Sequence, residues 1–69
     1  MKVEIRNNKN QPIGWVDDSG GNKQAMHIRK GYVGRYIKNS NITFDKFGKI
    51  YCYGDGAQCL VRDADRGYL

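Results

Sequence analysis

Three kinds of side chain in this 69-residue sequence could carry chemistry: a single histidine, two cysteines, and a set of cations interleaved with tyrosines. His27 falls in the alternating run Ala25-Met26-His27-Ile28-Arg29, on the face opposite Met26 and Ile28. A histidine that meets a carboxylate within hydrogen-bond reach can act as a general acid or base. The acids nearest in sequence, Asp17 and Asp18, lie across a polar, doubly glycinated loop, Asp18–Gln24, so no catalytic pair is expected. The two cysteines sit around Asp55-Gly56, a dipeptide that favours a two-residue hairpin turn and would set Cys52 opposite Cys59 on the core side of a ribbon. A hydrogen-bonded pair of that kind holds its Cα atoms about 5.5 Å apart, inside the disulfide range but with strained side-chain dihedrals. The cysteines therefore read first as reduced, small hydrophobes and second as a bridge. With one distant histidine and no C-x₂-C spacing they make a poor metal site, and a core-facing thiol with no base beside it is inert. Gly20-Gly21 matches neither phosphate-loop fingerprint. No enzymatic activity, cofactor or metal is expected.

The cations and tyrosines are better candidates. Net charge is +5 and the sequence pI about 9.4. Residues 2–49 hold ten Lys or Arg against four acids, whereas residues 50–69 hold two against three. Lys2, Arg6, His27 and Arg29 fall on outward strand faces, and Arg35 lies between Tyr32 and Tyr36. Tyr32, Tyr36, Tyr51 and Tyr53 alternate with inward residues. Cations beside exposed rings can hold phosphates and stack single-stranded bases, which admits nucleic acid or an acidic protein as partner. The same rings can instead form an interface with a second copy of the chain, and tyrosine has high strand propensity in any case. Without an arginine-rich run, the charge can also do no more than keep the surface solvated.

The elements that must position these residues are short strands. Lys2–Arg6 alternates, with Val3 and Ile5 on one face. Asn7–Gln11 is a turn rich in residues that close local hydrogen bonds, and Pro12 suits the first residue of a strand in which Ile13 and Trp15 share a face. Ala25–Arg29 follows with Met26 and Ile28 inward, then Tyr32–Lys38, Ile42–Asp45, and the hairpin Ile50–Val61 with Ile50, Cys52, Ala57, Cys59 and Val61 on its core side. No segment keeps helical apolar spacing over ten residues. The expected fold is all-β: three to four repeated antiparallel hairpins forming a small flower- or barrel-like domain over residues 1–62, with 63–69 a frayed tail. Sixty-nine residues make one domain with a thin core, so self-association is the expected staple. No apolar run is long enough for a signal peptide or a membrane span, and the expected location is the cytoplasm, with no membrane partner.

Repetition runs through the hairpins. Ile5-Arg6, Ile28-Arg29 and Phe44-Asp45 each precede a turn holding Asn or Gly, and each turn is followed by an apolar residue (Ile13, Val33, Ile50) and then by aromatics. Such units cannot bury a face alone and must stack on their neighbours. Pro12-Ile13-Gly14-Trp15-Val16, echoed in Gly31-Tyr32-Val33-Gly34-Arg35-Tyr36-Ile37 and in Asp45-Lys46-Phe47-Gly48-Lys49-Ile50-Tyr51, resembles the four-fold beta-flower domains, small bacterial proteins of repeated hairpins around a pseudo-four-fold axis. The resemblance spans roughly residues 3–63 and departs in the Asp18–Gln24 loop, at Tyr51 where a glycine is expected, and in a truncated last unit. It implies a fold and no activity. Taken together, the expectation is a non-catalytic binding or assembly module that self-associates; the alternative is a basic module for single-stranded DNA or RNA.

Overall fold

The computed structural model describes residues 1–69. Alternating apolar and polar residues, punctuated by Asn- and Gly-containing turns, form six strands: β1 (Lys2–Arg6), β2 (Pro12–Ser19), β3 (Asn22–His27), β4 (Gly31–Ile37), β5 (Ile42–Asp45) and β6 (Ile50–Tyr53). They pair antiparallel in chain order as one sheet, hairpin after hairpin. This is the expected antiparallel hairpin fold, but the sheet stays open and does not close into a barrel, because β1 and β6 are its two edges. Asp18–Gln24 is no long loop. Ser19 pairs with Asn22, and Gly20 and Gly21 turn the chain with φ of 64° and 94°, the double left-handed turn that two glycines permit without strain.

The largest departure lies after β6. Asp55-Gly56 does not turn a ribbon back; it opens a helix, α1 (Ala57–Asp65). Thr43 decides this. Its buried hydroxyl donates to the Gly54 carbonyl (2.7 Å) and accepts from the Gly56 amide (2.8 Å), while Asp55 Oδ1 accepts from the Ala57 amide (3.2 Å). Ala57, Leu60, Val61 and Ala64, spaced i, i+3, i+4, i+7, make one apolar stripe and all four are fully buried. Cys59 is consequently exposed on the helix and does not face Cys52 across a ladder; both are free thiols. The tail anticipated as frayed over 63–69 begins inside the helix. The amides of Gly67 and Tyr68 close on the carbonyls of Ala64 and Asp63, Lys30 Nζ donates to the Ala64 carbonyl (2.5 Å), and Leu69 lies against the core. A cation at that end also suits the helix dipole.

Three β-bulges set which side chains meet the helix. Opposite Ile5 and Arg6 stand Gly14 and Pro12, so Ile13 is the extra residue. Val33 is extra between Gly34 and Tyr32, and Tyr51 between Cys52 and Ile50. Each bulge turns two consecutive residues toward the core and reverses the alternation beyond it. The residue after the bulge is where α1 comes closest. A Cβ on Gly14 would meet the Met26 carbonyl and stand 2.7 Å from Val61 Cγ1; one on Gly34 would meet the Phe44 carbonyl and stand 2.7 Å from Leu60 Cδ1. In the third unit the relation is inverted: Cys52 carries a side chain, and Gly56 is bare where the Cys52 sulfur needs space. The repeat seen in the sequence is thus a repeat of helix-docking sites. The core is Ile5, Ile13, Val16, Ala25 and Val33 from the sheet, closed by the helix stripe.

Candidate functional site: the helix-free face of the sheet

Because α1 covers one face across β2, β3 and β4, the other face of the sheet is left open, and pairing fixes what it presents. One cross-strand row is Glu4, Trp15, Met26, Tyr32; the next is Lys2, Asp17, Gln24, Arg35, Phe44, Ile50. Trp15, Met26, Tyr32 and Phe44 are half-buried by their neighbours. Ile28, Ile50 and Tyr53 retain 54%, 52% and 78% of their surface in solvent. Lys2 Nζ stands 5.4 Å from the centre of the Trp15 ring, a cation–π distance. A shallow depression of about 470 Å³ runs between Lys2, Glu4, Pro12, Gly14, Trp15 and Ile28.

The expected cation set does not assemble. Lys2 and Arg35 share the open face. Arg6 is held by Glu4 at 2.8 Å and by the Asn10 carbonyl at 2.7 Å. Arg29 lies beyond β3, 3.6 Å from Asp65. His27 was expected on the outer face, and it is the reverse: it is 1% exposed and points toward the helix. The bulge at Ile13 is the cause, since it brings Gly14 and Val16 inward, and with them their partners His27 and Ala25. His27 Nδ1 accepts from the amides of Arg29 (3.1 Å) and Lys30 (3.2 Å), so its proton sits on Nε2 and is donated to Asp65 Oδ1 (3.1 Å). Both ring nitrogens are committed. His27 ties the β3–β4 turn to the last turn of α1 and cannot contact a partner.

The tyrosines divide as well. Tyr32 and Tyr53 face outward, whereas Tyr36 and Tyr51 lie against the core on the helix side. Tyr36 donates its hydroxyl to Asn41 Oδ1 at 2.7 Å. Tyr51 donates to Asp63 Oδ2, and burial first, then the hydrogen bond to Asp63, pushes its phenol well above the ordinary 10.0. A raised value in the folded state means that this stabilisation is complete below pH 10 and is lost as pH rises beyond it. Lys23, raised chiefly by its hydrogen bond to Asp55, acts in the same direction, though more exposed and more screened. Tyr51→Phe is therefore expected to cost about 1–2 kcal/mol at neutral pH and to flatten the loss of stability above pH 10. Urea unfolding across that range measures it; an unchanged alkaline limb would show that Tyr51 does not carry the effect.

Trp15, Met26 and Phe44 are outward residues that simple alternation along the strands does not disclose. The signal was present as Ile13-Gly14 and Val33-Gly34, an apolar residue followed by glycine early in a strand, which is how a bulge beside a close approach reads. No group of three His, Cys, Asp or Glu side chains is placed to hold a metal ion, and no helix is long and apolar enough to cross a membrane. Comparison with family models, with curated proteins and with solved structures finds no match for this chain.

Proposed function

We propose that this chain is a non-catalytic assembly module that self-associates through the helix-free face of its sheet. One observation carries the reading: a sheet whose second face holds Trp15, Met26, Tyr32, Phe44, Ile50 and Tyr53 has nothing over it. Two open sheets laid face to face bury both sets of side chains in a sandwich. A plane of six strands about 4.8 Å apart and about six residues long offers roughly 500 Å² per copy, so the pair just clears the roughly 1,000 Å² that a specific contact needs. A reversible, concentration-dependent dimer follows.

The second reading is single-stranded nucleic acid on the same face. It is favoured by the Lys2 cation over the Trp15 ring and by Arg35 beside Phe44, which join phosphate and base contacts. Salt separates the two. Copies with a charge of +5 repel one another, so screening leaves an apolar dimer as tight or tighter, whereas nucleic-acid affinity falls steeply as counterions compete. Sedimentation equilibrium and oligonucleotide anisotropy at about 50 and about 500 mM salt test both. The expected result is a dimer that persists at high salt and is lost in Trp15→Lys. A chain that is monomeric at both salts refutes self-association, and salt-sensitive oligonucleotide binding then establishes the second reading.

A further inference from the structure

The open face has a charge pattern that matches itself in one arrangement. In the row Lys2, Asp17, Gln24, Arg35, Phe44 the acid on β2 and the arginine on β4 flank β3 symmetrically, with a neutral glutamine between them. Arg35 has no ion-pair partner within its own chain. Asp17 meets only the terminal ammonium, through Oδ1 at 3.4 Å, and is 43% exposed. In the neighbouring row Trp15 and Tyr32 flank Met26 in the same way.

From this pattern we infer that the partner, a second copy as in the function proposed above on which this inference rests, docks about a two-fold axis running along β3. That axis exchanges β2 with β4. Arg35 then faces Asp17 of the other copy, twice, Trp15 faces Tyr32, and Met26 and Gln24 each meet themselves on the axis. Sheets packed face to face stand about 10 Å apart, a gap that arginine and aspartate side chains reaching toward each other can close.

Other two-fold axes match the charges less well: one between β3 and β4 sets Asp17 against Phe44 and Arg35 against Gln24, with no opposite pair. An axis along β2 sets Asp17 against itself, and one along β4 does the same to Arg35. An axis between β2 and β3 sets Lys2 against Arg35. An axis across the strands matches Lys2 with Glu4 but lays the Asp17 carboxylate on the face of the Trp15 ring, where the quadrupole repels it. Like charges placed opposite each other in an interface exclude a geometry more strongly than matched ones select it.

Charge reversal tests this. Asp17→Arg and Arg35→Asp, each measured by sedimentation equilibrium, are expected to weaken self-association at least about tenfold, and the double variant to return it to within about threefold of the unmodified chain. Circular dichroism checks that each variant is folded; should a reversal unfold the chain, Asp17→Asn and Arg35→Gln take its place, each then expected to weaken the dimer and the pair to weaken it no further than either alone. A dimer indifferent to the single changes, or one not restored in the double reversal, overturns the β3 axis while leaving self-association standing. An unmodified chain that stays monomeric at every concentration overturns both.

Discussion

Gly34→Ala is expected to bring this domain to the edge of unfolding. A 69-residue chain is held together by roughly 5 kcal/mol, and the added methyl has nowhere to go. It would collide with the Phe44 carbonyl on the neighbouring strand, stand 2.7 Å from Leu60 Cδ1 and require an alanine at φ of 151°. Backbone on one side cannot yield, so the helix must lift. Overpacking together with an unfavourable backbone angle costs roughly 3 kcal/mol. Gly48→Ala is the control: its φ is also positive, at 81°, but nothing lies within 4 Å of the new Cβ. It should cost about 1 kcal/mol. Urea unfolding of the two variants separates crowding from conformation, and equal losses would mean that the close approach of α1 at Gly34 does not limit stability.

Leu60→Ala attacks the same contact from the other side. Leu60 is the largest of the fully buried side chains, 0% exposed, and it fills the space above Gly34. Its removal is expected to cost about 3 kcal/mol, transfer and cavity terms together. Combining Leu60→Ala with Gly34→Ala should cost clearly less than the two losses added, because the truncated leucine no longer obstructs the new methyl. The relief is partial, since the Phe44 carbonyl stays where it is. Strict additivity in this double-mutant cycle would show that helix and sheet are not coupled at this point.

The strands were legible in the sequence because alternation and turn chemistry are local. Val3 and Ile5 pointing one way, Asn7–Gln11 turning, and Pro12 opening a strand all depend on residues within a few positions of one another. The faces of the later strands were not legible, because each bulge inserts one residue and inverts everything after it. Met26, expected inward, therefore faces out, Trp15 faces away from Ile13 with which it was expected to share a face, and His27, expected outward, is buried. The helix was hidden for a different reason. At nine residues it is short, and Asp55-Gly56 is as good a hairpin signal as any in the chain. What overrides it is Thr43, twelve positions upstream of Asp55, whose hydroxyl holds Gly54 and Gly56 in place for a helix start. The stripe Ala57, Leu60, Val61, Ala64 was the available clue.

The candidate site was legible only in part. Lys2, Arg35, Tyr32 and Tyr53 do lie on one open face, but Tyr36 and Tyr51 serve the core, and Arg6 and Arg29 have partners within the chain. What remains on that face is more apolar than basic, which is the ground for proposing a second copy of the chain over a phosphate backbone as its partner.

The most direct test is a dilution series followed by NMR, from near-millimolar to low micromolar protein. The Trp15 indole N–H and the Met26 methyl report the open face; the methyls of Leu60 and Val61 report the face under the helix. If the sheet associates through its open face, the first pair shifts with concentration and the second does not. Shifts confined to Leu60 and Val61, or none anywhere in the range, would contradict it.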